Sequence, residues 1–404
     1  MRIRINTLIL LIFICFQSFA ESKDSATVEG LLYLDNTLVS IQIVDGKITK
    51  ITRLSSESKL PKFYVSPGLI DLQVNGYMGV SFSEQDLTIE NMRKATLALW
   101  KEGVTGFLPT LTTTEHLQLV RSFSLLSKMQ DDELIGNSIL GFHLEGPYIS
   151  PVKGYRGAHS EKYIRLPDWK EFQELRDAAQ NNIKLITVAP EMEGAIQFIE
   201  KCSQTGVNVA LGHHNGTAGD IEKAVLAGAS LSTHLGNGCA NEINRHNNPI
   251  WPQLANDELS ISIIADGAHL NKEEVVTFYK VKGTEKTILV SDAVSLAGLP
   301  PGEYISDGDT LLLTTEVVKF PSENVLAGAA QPISRCVGNV MKFTQCSLKE
   351  AIQMASTNPA RLMGLNDLGE IKTGKRADLI LFSIENGNLV IQKTIVAGTL
   401  VYSK

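Results

Sequence analysis

Apolar and polar positions alternate with a period of two at both ends of the chain and give way to longer blocks in between. In Thr37-Leu38-Val39-Ser40-Ile41-Gln42-Ile43-Val44 every second side chain is apolar, which puts one face of a strand into a core. The Asp45-Gly46 pair that follows is a hairpin turn signal. The same texture spans residues 28–64 and returns in Ala377-Asp378-Leu379-Ile380-Leu381-Phe382 and over residues 393–402. Two β-rich ends predict one small β-sandwich built from both termini.

Between them the chain switches beat. Helical patterns over residues 171–181, 195–202, 221–227 and 275–279 alternate with strand-like runs at 184–188, 207–211, 230–234, 260–265 and 287–290. Repeated βα units over roughly 300 residues predict an α/β fold, a (β/α)8 TIM-like barrel whose functional groups collect at the C-terminal ends of its strands. The expected division is a sandwich from 21–66 and 366–404 around a barrel from 67–365. A doubly wound sheet would need an early phosphate-binding glycine turn, and Asn75-Gly76-Tyr77-Met78-Gly79 has the wrong spacing.

Residues 1–20 depart from this plan. Arg2 and Arg4 precede an apolar run at 8–16, and Ser18-Phe19-Ala20 supplies the small residues of a cleavage site, so the pattern predicts a signal peptide and an exported, periplasmic protein. The run is shorter than the roughly 20 residues that span a bilayer, so no membrane association is expected after its removal. Four cysteines then remain, Cys202, Cys239, Cys336 and Cys346, too sparse for a disulfide framework or a zinc cluster. A formal charge of -7 leaves no basic excess for gripping nucleic acid through its phosphates, so nucleic-acid binding is disfavoured.

Four strand-like runs end in residues that suit one metal site: Glu145 in Gly141-Phe142-His143-Leu144-Glu145-Gly146-Pro147, His213, His234, and Asp292 in Leu289-Val290-Ser291-Asp292. A catalytic zinc site takes three protein ligands and leaves one position for water, which fits Glu145, His213 and His234. Asp292 is then placed to take a proton from that water and return it to a leaving amine. Each residue alone has a structural explanation, a helix cap or a turn. Their joint occurrence at successive strand ends favours the site. Side chains alternate along a strand, so His214 is expected to point away from the site that holds His213, while His143 shares a face with Glu145 and is expected near it.

Seven motifs in order, Pro67-Gly68-Leu69-Ile70-Asp71, Gln73-Val74-Asn75-Gly76, His143-Leu144-Glu145-Gly146-Pro147, Gly212-His213-His214-Asn215, Thr233-His234-Leu235, Ile264-Ala265-Asp266-Gly267-Ala268-His269 and Val290-Ser291-Asp292, resemble the N-acetylglucosamine-6-phosphate deacetylases of the amidohydrolase superfamily. The resemblance implies a metal-dependent barrel beside a small β-sandwich, acting on an N-acetyl amino sugar, and a homodimer. Where many amidohydrolases carry a His-x-His pair for a second metal, this chain has Gln73 and Asn75, which implies one divalent metal per subunit: zinc first, with iron, cobalt or manganese tolerated by the same ligands. By the same resemblance Ala158, His159, Asn237 and Gly238 contact the sugar. Arg245 and His269 match the two basic residues that bind its phosphate, reached across a dimer interface. Leu326-Ala327-Gly328 is expected in a late loop that closes over the ligand. Phosphorylated amino sugars belong to the cytoplasm and the leader pattern points outward, so two alternatives stay open: an exported amidohydrolase of unphosphorylated N-acetyl sugars, cell-wall fragments or N-acyl amino acids, or a cytoplasmic enzyme with no signal peptide. A catalytically silent sugar-binding barrel is the rival from another class, and the complete Glu, His, His and Asp set argues against it.

Overall fold

The computed structural model describes residues 25–55, 63–306, 309–321 and 325–404. The predicted signal peptide at 1–20 lies outside the described residues. Among those described, no helix is long and apolar enough to cross a membrane.

Eight strands, β1 (Leu69–Val74), β2 (Val104–Thr112), β3 (Phe142–Glu145), β4 (Ile183–Val188), β5 (Asn208–Leu211), β6 (Ala229–Ser232), β7 (Ser260–Ile263) and β8 (Thr287–Leu289), lie side by side in chain order. Every neighbouring pair is parallel. The first and last strands meet just beyond β8, where Val74 bridges to Ala293 and the Asp292 amide donates to the Gln73 carbonyl at 3.0 Å. The sheet therefore closes into a TIM-like barrel at the very residues that carry the proposed chemistry. Ile70, Leu72, Leu108, Leu185, Ala210, Leu231 and Ile288 come from six of the strands and pack with Ala360 and Leu368 in one buried cluster. A larger cluster joins the strands to the surrounding helices, as parallel strands buried on both faces require.

The connecting helices confirm the predicted beat and extend it upstream. Helices at Ile89–Lys101 and His116–Met129 flank β2, and Trp169–Ala178, Ala195–Gln204, Ala218–Leu226 and Lys272–Lys286 follow the expected places within a few residues. Several starts are capped locally: Thr217 and Asn271 each close a capping box with Asp220 and Glu274, satisfying amides that the first helical turn leaves without partners.

The two chain ends form one seven-stranded sheet. Tyr64–Pro67 pairs antiparallel with Leu379–Glu385, which sutures the N-terminal strands to the C-terminal ones. Val39, Ile41 and Ile43, the apolar positions of the opening pattern, meet Ile48, Val65, Leu379 and Leu381 in a separate core. Asp45 and Gly46 both have positive φ, 51° and 73°, the conformation that a two-residue type I′ hairpin demands.

One element departs from expectation. Residues Leu326, Ala327 and Gly328 lie on a strand, Val325–Ala329, and not in a loop. That strand closes a four-stranded antiparallel meander with Gly302–Ser306, Asp309–Leu313 and Val317–Phe320. The cause is antiparallel pairing with Val317–Phe320, and the strand's end is tied to the barrel: Ala329 bridges to Ala293, and its amide donates to the Asp292 carbonyl at 3.3 Å. The meander is thus tied to the backbone of Asp292.

Candidate metal-dependent active site

Glu145, the last residue of β3, places Oε1 2.9 Å from His234 Nε2 and 3.1 Å from His213 Nε2. The two imidazole nitrogens are 3.1 Å apart, and all three residues are buried. They form the group of metal-ligating type found among the described residues. His213 Nδ1 lies 3.1 Å from the Tyr155 carbonyl, which only an N–H can satisfy, so the nitrogen turned to Glu145 and His234 is the one with a lone pair. A carboxylate oxygen and two imidazole nitrogens at mutual distances near 3 Å cannot all be satisfied by the protons of one ring. A divalent cation satisfies the three together, and this N, N, O set suits zinc and its neighbours.

The electrostatics follow from the same crowding. Burial pushes Glu145 upward, but the hydrogen bonds and charges of His213 and His234 outweigh it and hold the carboxyl well below the usual carboxylate range. On Asp292 the balance is reversed, because the charges of His234 and His269 and the Asn75 hydrogen bond do not outweigh burial. Burial, reinforced by the negative charge of Glu145, pushes it up to about 6.

Gln73 and Asn75 serve these two carboxylates. Gln73 Nε2 donates to Glu145 Oε1 at 2.9 Å, and Asn75 Nδ2 donates to Asp292 Oδ1 at 2.7 Å. Side chains two apart in extended backbone share a face, so Gln73 on β1 and Asn75 just past its end both turn their amides into the mouth, as donors to carboxylates. The backbone also bends at this level: His213, His234 and Asp292 have φ of 50°, 30° and 52°. Non-glycine residues rarely adopt this region, and such strain concentrates at functional sites.

His159 closes the metal side. Its ring packs edge-on against His213 with centroids 4.3 Å apart, its Nδ1 lies 2.8 Å from Thr113 Oγ1, and burial pushes it down to about 3. Two glycines let backbone press on the same ligand: a Cβ on Gly157 would stand 3.0 Å from the His213 ring, and one on Gly238 would stand 2.9 Å from it. His143 sits in the barrel, bonded to Thr187 at 2.8 Å, and Thr187 continues to Thr233 at 2.8 Å. His143 is held neutral, pushed down to about 4 by burial. His214 turns aside to accept from the Gly216 amide at 3.2 Å.

The remaining predicted contacts are looser. Asn237, three residues after His234, closes a tight turn, its backbone amide donating to the His234 carbonyl at 2.8 Å. Its Nδ2 is buried without a hydrogen-bond partner among the described residues. His269 Nδ1 is held by Asp266 Oδ2 at 2.7 Å, and its charge reaches Asp292. Ala158 is exposed. Arg245 is exposed as well, on the segment between β6 and the short helix Ile250–Ala255. Its carbonyl accepts from Trp251 Nε1 at 2.9 Å, and among the described residues its guanidinium has no partner.

Sequence reasoning missed the Tyr155 carbonyl and Thr113. A backbone acceptor leaves no trace in residue identity. Thr113 was hidden in the run Thr112-Thr113-Thr114, and only the pairing of Thr112 with Glu145 singles it out. The four described cysteines are free.

The model of the amidohydrolase family matches residues 64–401. An N-acetylglucosamine-6-phosphate deacetylase of Caenorhabditis elegans is 32% identical, covering 84% of this chain and 82% of its own length. An N-acetylgalactosamine-6-phosphate deacetylase of Escherichia coli O157:H7 is 30% identical, covering 89% and 94%. The crystal structure of N-acetylglucosamine-6-phosphate deacetylase from Thermotoga maritima superposes with a TM-score of 0.81 at 30% identity, covering 94% of this chain and 100% of that one. With the closed barrel, the sheet sutured from both termini and the Glu145, His213 and His234 cluster at its mouth, the chain belongs to the amidohydrolase family, in the branch of the N-acetylglucosamine-6-phosphate deacetylases.

Proposed function

We propose that this protein hydrolyses the acetamide of N-acetylglucosamine 6-phosphate to glucosamine 6-phosphate and acetate, with one divalent cation, zinc first, at Glu145, His213 and His234. The observation that carries the reading is the convergence of two imidazole nitrogens on one carboxylate oxygen at 2.9 and 3.1 Å, at the strand ends of a chain matched over nearly its full length by deacetylases. A cation bound there supplies an acidified water and a polarised carbonyl.

The chain's own groups do the rest. Asn75 occupies Oδ1 of Asp292, which leaves Oδ2 to take a proton from the attacking water and pass it to the departing nitrogen. Gln73 steadies Glu145 through Nε2 and, with Asn75, takes the place of a second pair of metal ligands, which supports a single-metal site. His159 sits against His213 and binds the substrate there, beside Ala158, Asn237 and Gly238. His269, oriented by Asp266, and the unpartnered Arg245 bind the phosphate, with Arg245 supplied by the second subunit of a homodimer. Leu326, Ala327 and Gly328 flank the ligand from the meander tied to Asp292.

The test is acetate release by purified protein loaded with zinc, iron, cobalt or manganese in turn, over phosphorylated and free N-acetylglucosamine and the phosphorylated galactosamine epimer. Preference for the phosphorylated glucosamine derivative supports the proposal. Equal or faster turnover of the free sugar refutes it. Export is proposed from the leader pattern alone; fractionation with N-terminal sequencing should find a mature chain starting near residue 21, and an intact cytoplasmic Met1 would refute it.

A further inference from the structure

We propose that Thr113 fixes the tautomer of His159, so that the ring presents Nε2–H, a hydrogen-bond donor, to the bound substrate. The inference rests on the substrate-binding role given to His159 above. Its geometry comes from the sheet. Thr112 at the end of β2 stands in register with Glu145 at the end of β3, so the next residues, Thr113 and Gly146, emerge side by side. The approach is close enough that a Cβ on Gly146 would lie 2.2 Å from Thr113 Oγ1 and 3.7 Å from His159 Nδ1. Thr113 and His159 are 7% and 8% exposed, and the hydroxyl and Nδ1 are 2.8 Å apart.

Proton accounting decides the direction of this bond. A threonine hydroxyl has one proton to give and an imidazole nitrogen either gives or accepts. Among the described residues the Thr113 hydroxyl has no other partner. If Nδ1–H donated to Oγ1, the hydroxyl proton would be left buried without an acceptor, a state that costs more than the net worth of an ordinary hydrogen bond. If Oγ1–H donates to Nδ1, every proton is placed. The ring then keeps its own proton on Nε2, which makes no hydrogen bond to the described residues and is free for an oxygen of the substrate. Thr113 acts through His159 and is a positioning residue.

The experiment uses full-length, metal-loaded protein labelled with 15N-histidine. Two-bond 1H–15N spectra read which ring nitrogen carries the proton, and the His159 signals are identified among the eight histidines by their loss in His159→Gln. The parent and Thr113→Ser should show Nε2 protonated, and Thr113→Val should lose that preference. With metal content unchanged, Thr113→Val should lower kcat by about 10–100-fold, the usual range for a residue that orients an active-site group, with KM moving far less and Thr113→Ser restoring the rate. A His159 protonated on Nδ1 in the parent, or a Thr113→Val protein with the parental tautomer, overturns the inference. Full turnover in His159→Gln would instead sink the role of His159 in catalysis, while the tautomer readout would still judge Thr113.

Discussion

The two sides of the barrel mouth differ in how their polar groups are held, although neither is fully satisfied: His234 Nδ1 and Asn75 Oδ1 on the metal side also lack hydrogen-bond partners among the described residues. On the metal side Glu145 Oε1 meets Gln73, His213 and His234 within 3.1 Å, His213 is oriented from behind by a backbone carbonyl, and Asp292 is held by Asn75. On the substrate side Asn237 Nδ2 is buried without a hydrogen-bond partner among the described residues, and Arg245 is exposed. The difference teaches a division of labour. Groups that must be in place before the reaction are fixed by closed strand ends, where preorganisation costs nothing at the moment of reaction. The groups proposed to recognise the substrate sit on longer segments after β3 and β6, where a ligand would complete their bonds.

Breaking the metal side should have the largest effect. His234→Ala removes one of the three proposed ligands and one of the two imidazoles that hold Glu145 ionised. Metal content measured by atomic emission should fall to near zero and acetate release by about 10³-fold or more, as loss of several kcal/mol of transition-state stabilisation requires. Metal bound at parental stoichiometry would place the site elsewhere. Breaking the open side should be milder and selective. Arg245→Ala should raise KM for the phosphorylated sugar by about 10–100-fold, the worth of one hydrogen bond to a charged group, and leave the free sugar untouched. An equal change for both sugars would remove Arg245 from phosphate recognition.

The smallest effect sharpens the comparison through pH. In the proposed mechanism Asp292 works as the ionised base, so activity should rise as pH climbs through its pKa and be lost below it. Burial and Glu145 hold that pKa near 6, and a cation beside Glu145 offsets part of the repulsion. The Asn75 hydrogen bond favours the carboxylate. Asn75→Ala should therefore move the acid limb of the kcat/KM profile to higher pH with the plateau nearly kept. A shift toward lower pH would mean that Asn75 stabilises the protonated form.

Much of this was legible because the fold writes itself in period. Val39, Ile41 and Ile43 alternate and do fill one core. Glu145, His213, His234 and Asp292 each follow a short apolar run, and a parallel barrel can only bring such positions to one rim. What escaped lacked a periodic or chemical signature. The strand Val325–Ala329 pairs with Val317–Phe320, and its attachment to the barrel rests on the bridge from Ala329 to Ala293, a long-range contact that local propensity does not encode. The positive φ of His213, His234 and Asp292 is invisible in their residue types. Thr113 emerged only once β2 and β3 were in register.

The central claim is that Asp292 moves the proton while Glu145, His213 and His234 hold the metal, and Asp292→Asn tests it most directly. Its amide keeps the shape and can still meet Asn75, but it cannot accept the proton. Metal content and acetate release should be measured on the same sample: metal is predicted to stay at the parental level while kcat falls by about 10²–10⁴-fold, the range for loss of a general base. An Asp292→Asn protein that keeps its metal and turns over at the parental rate would contradict the account.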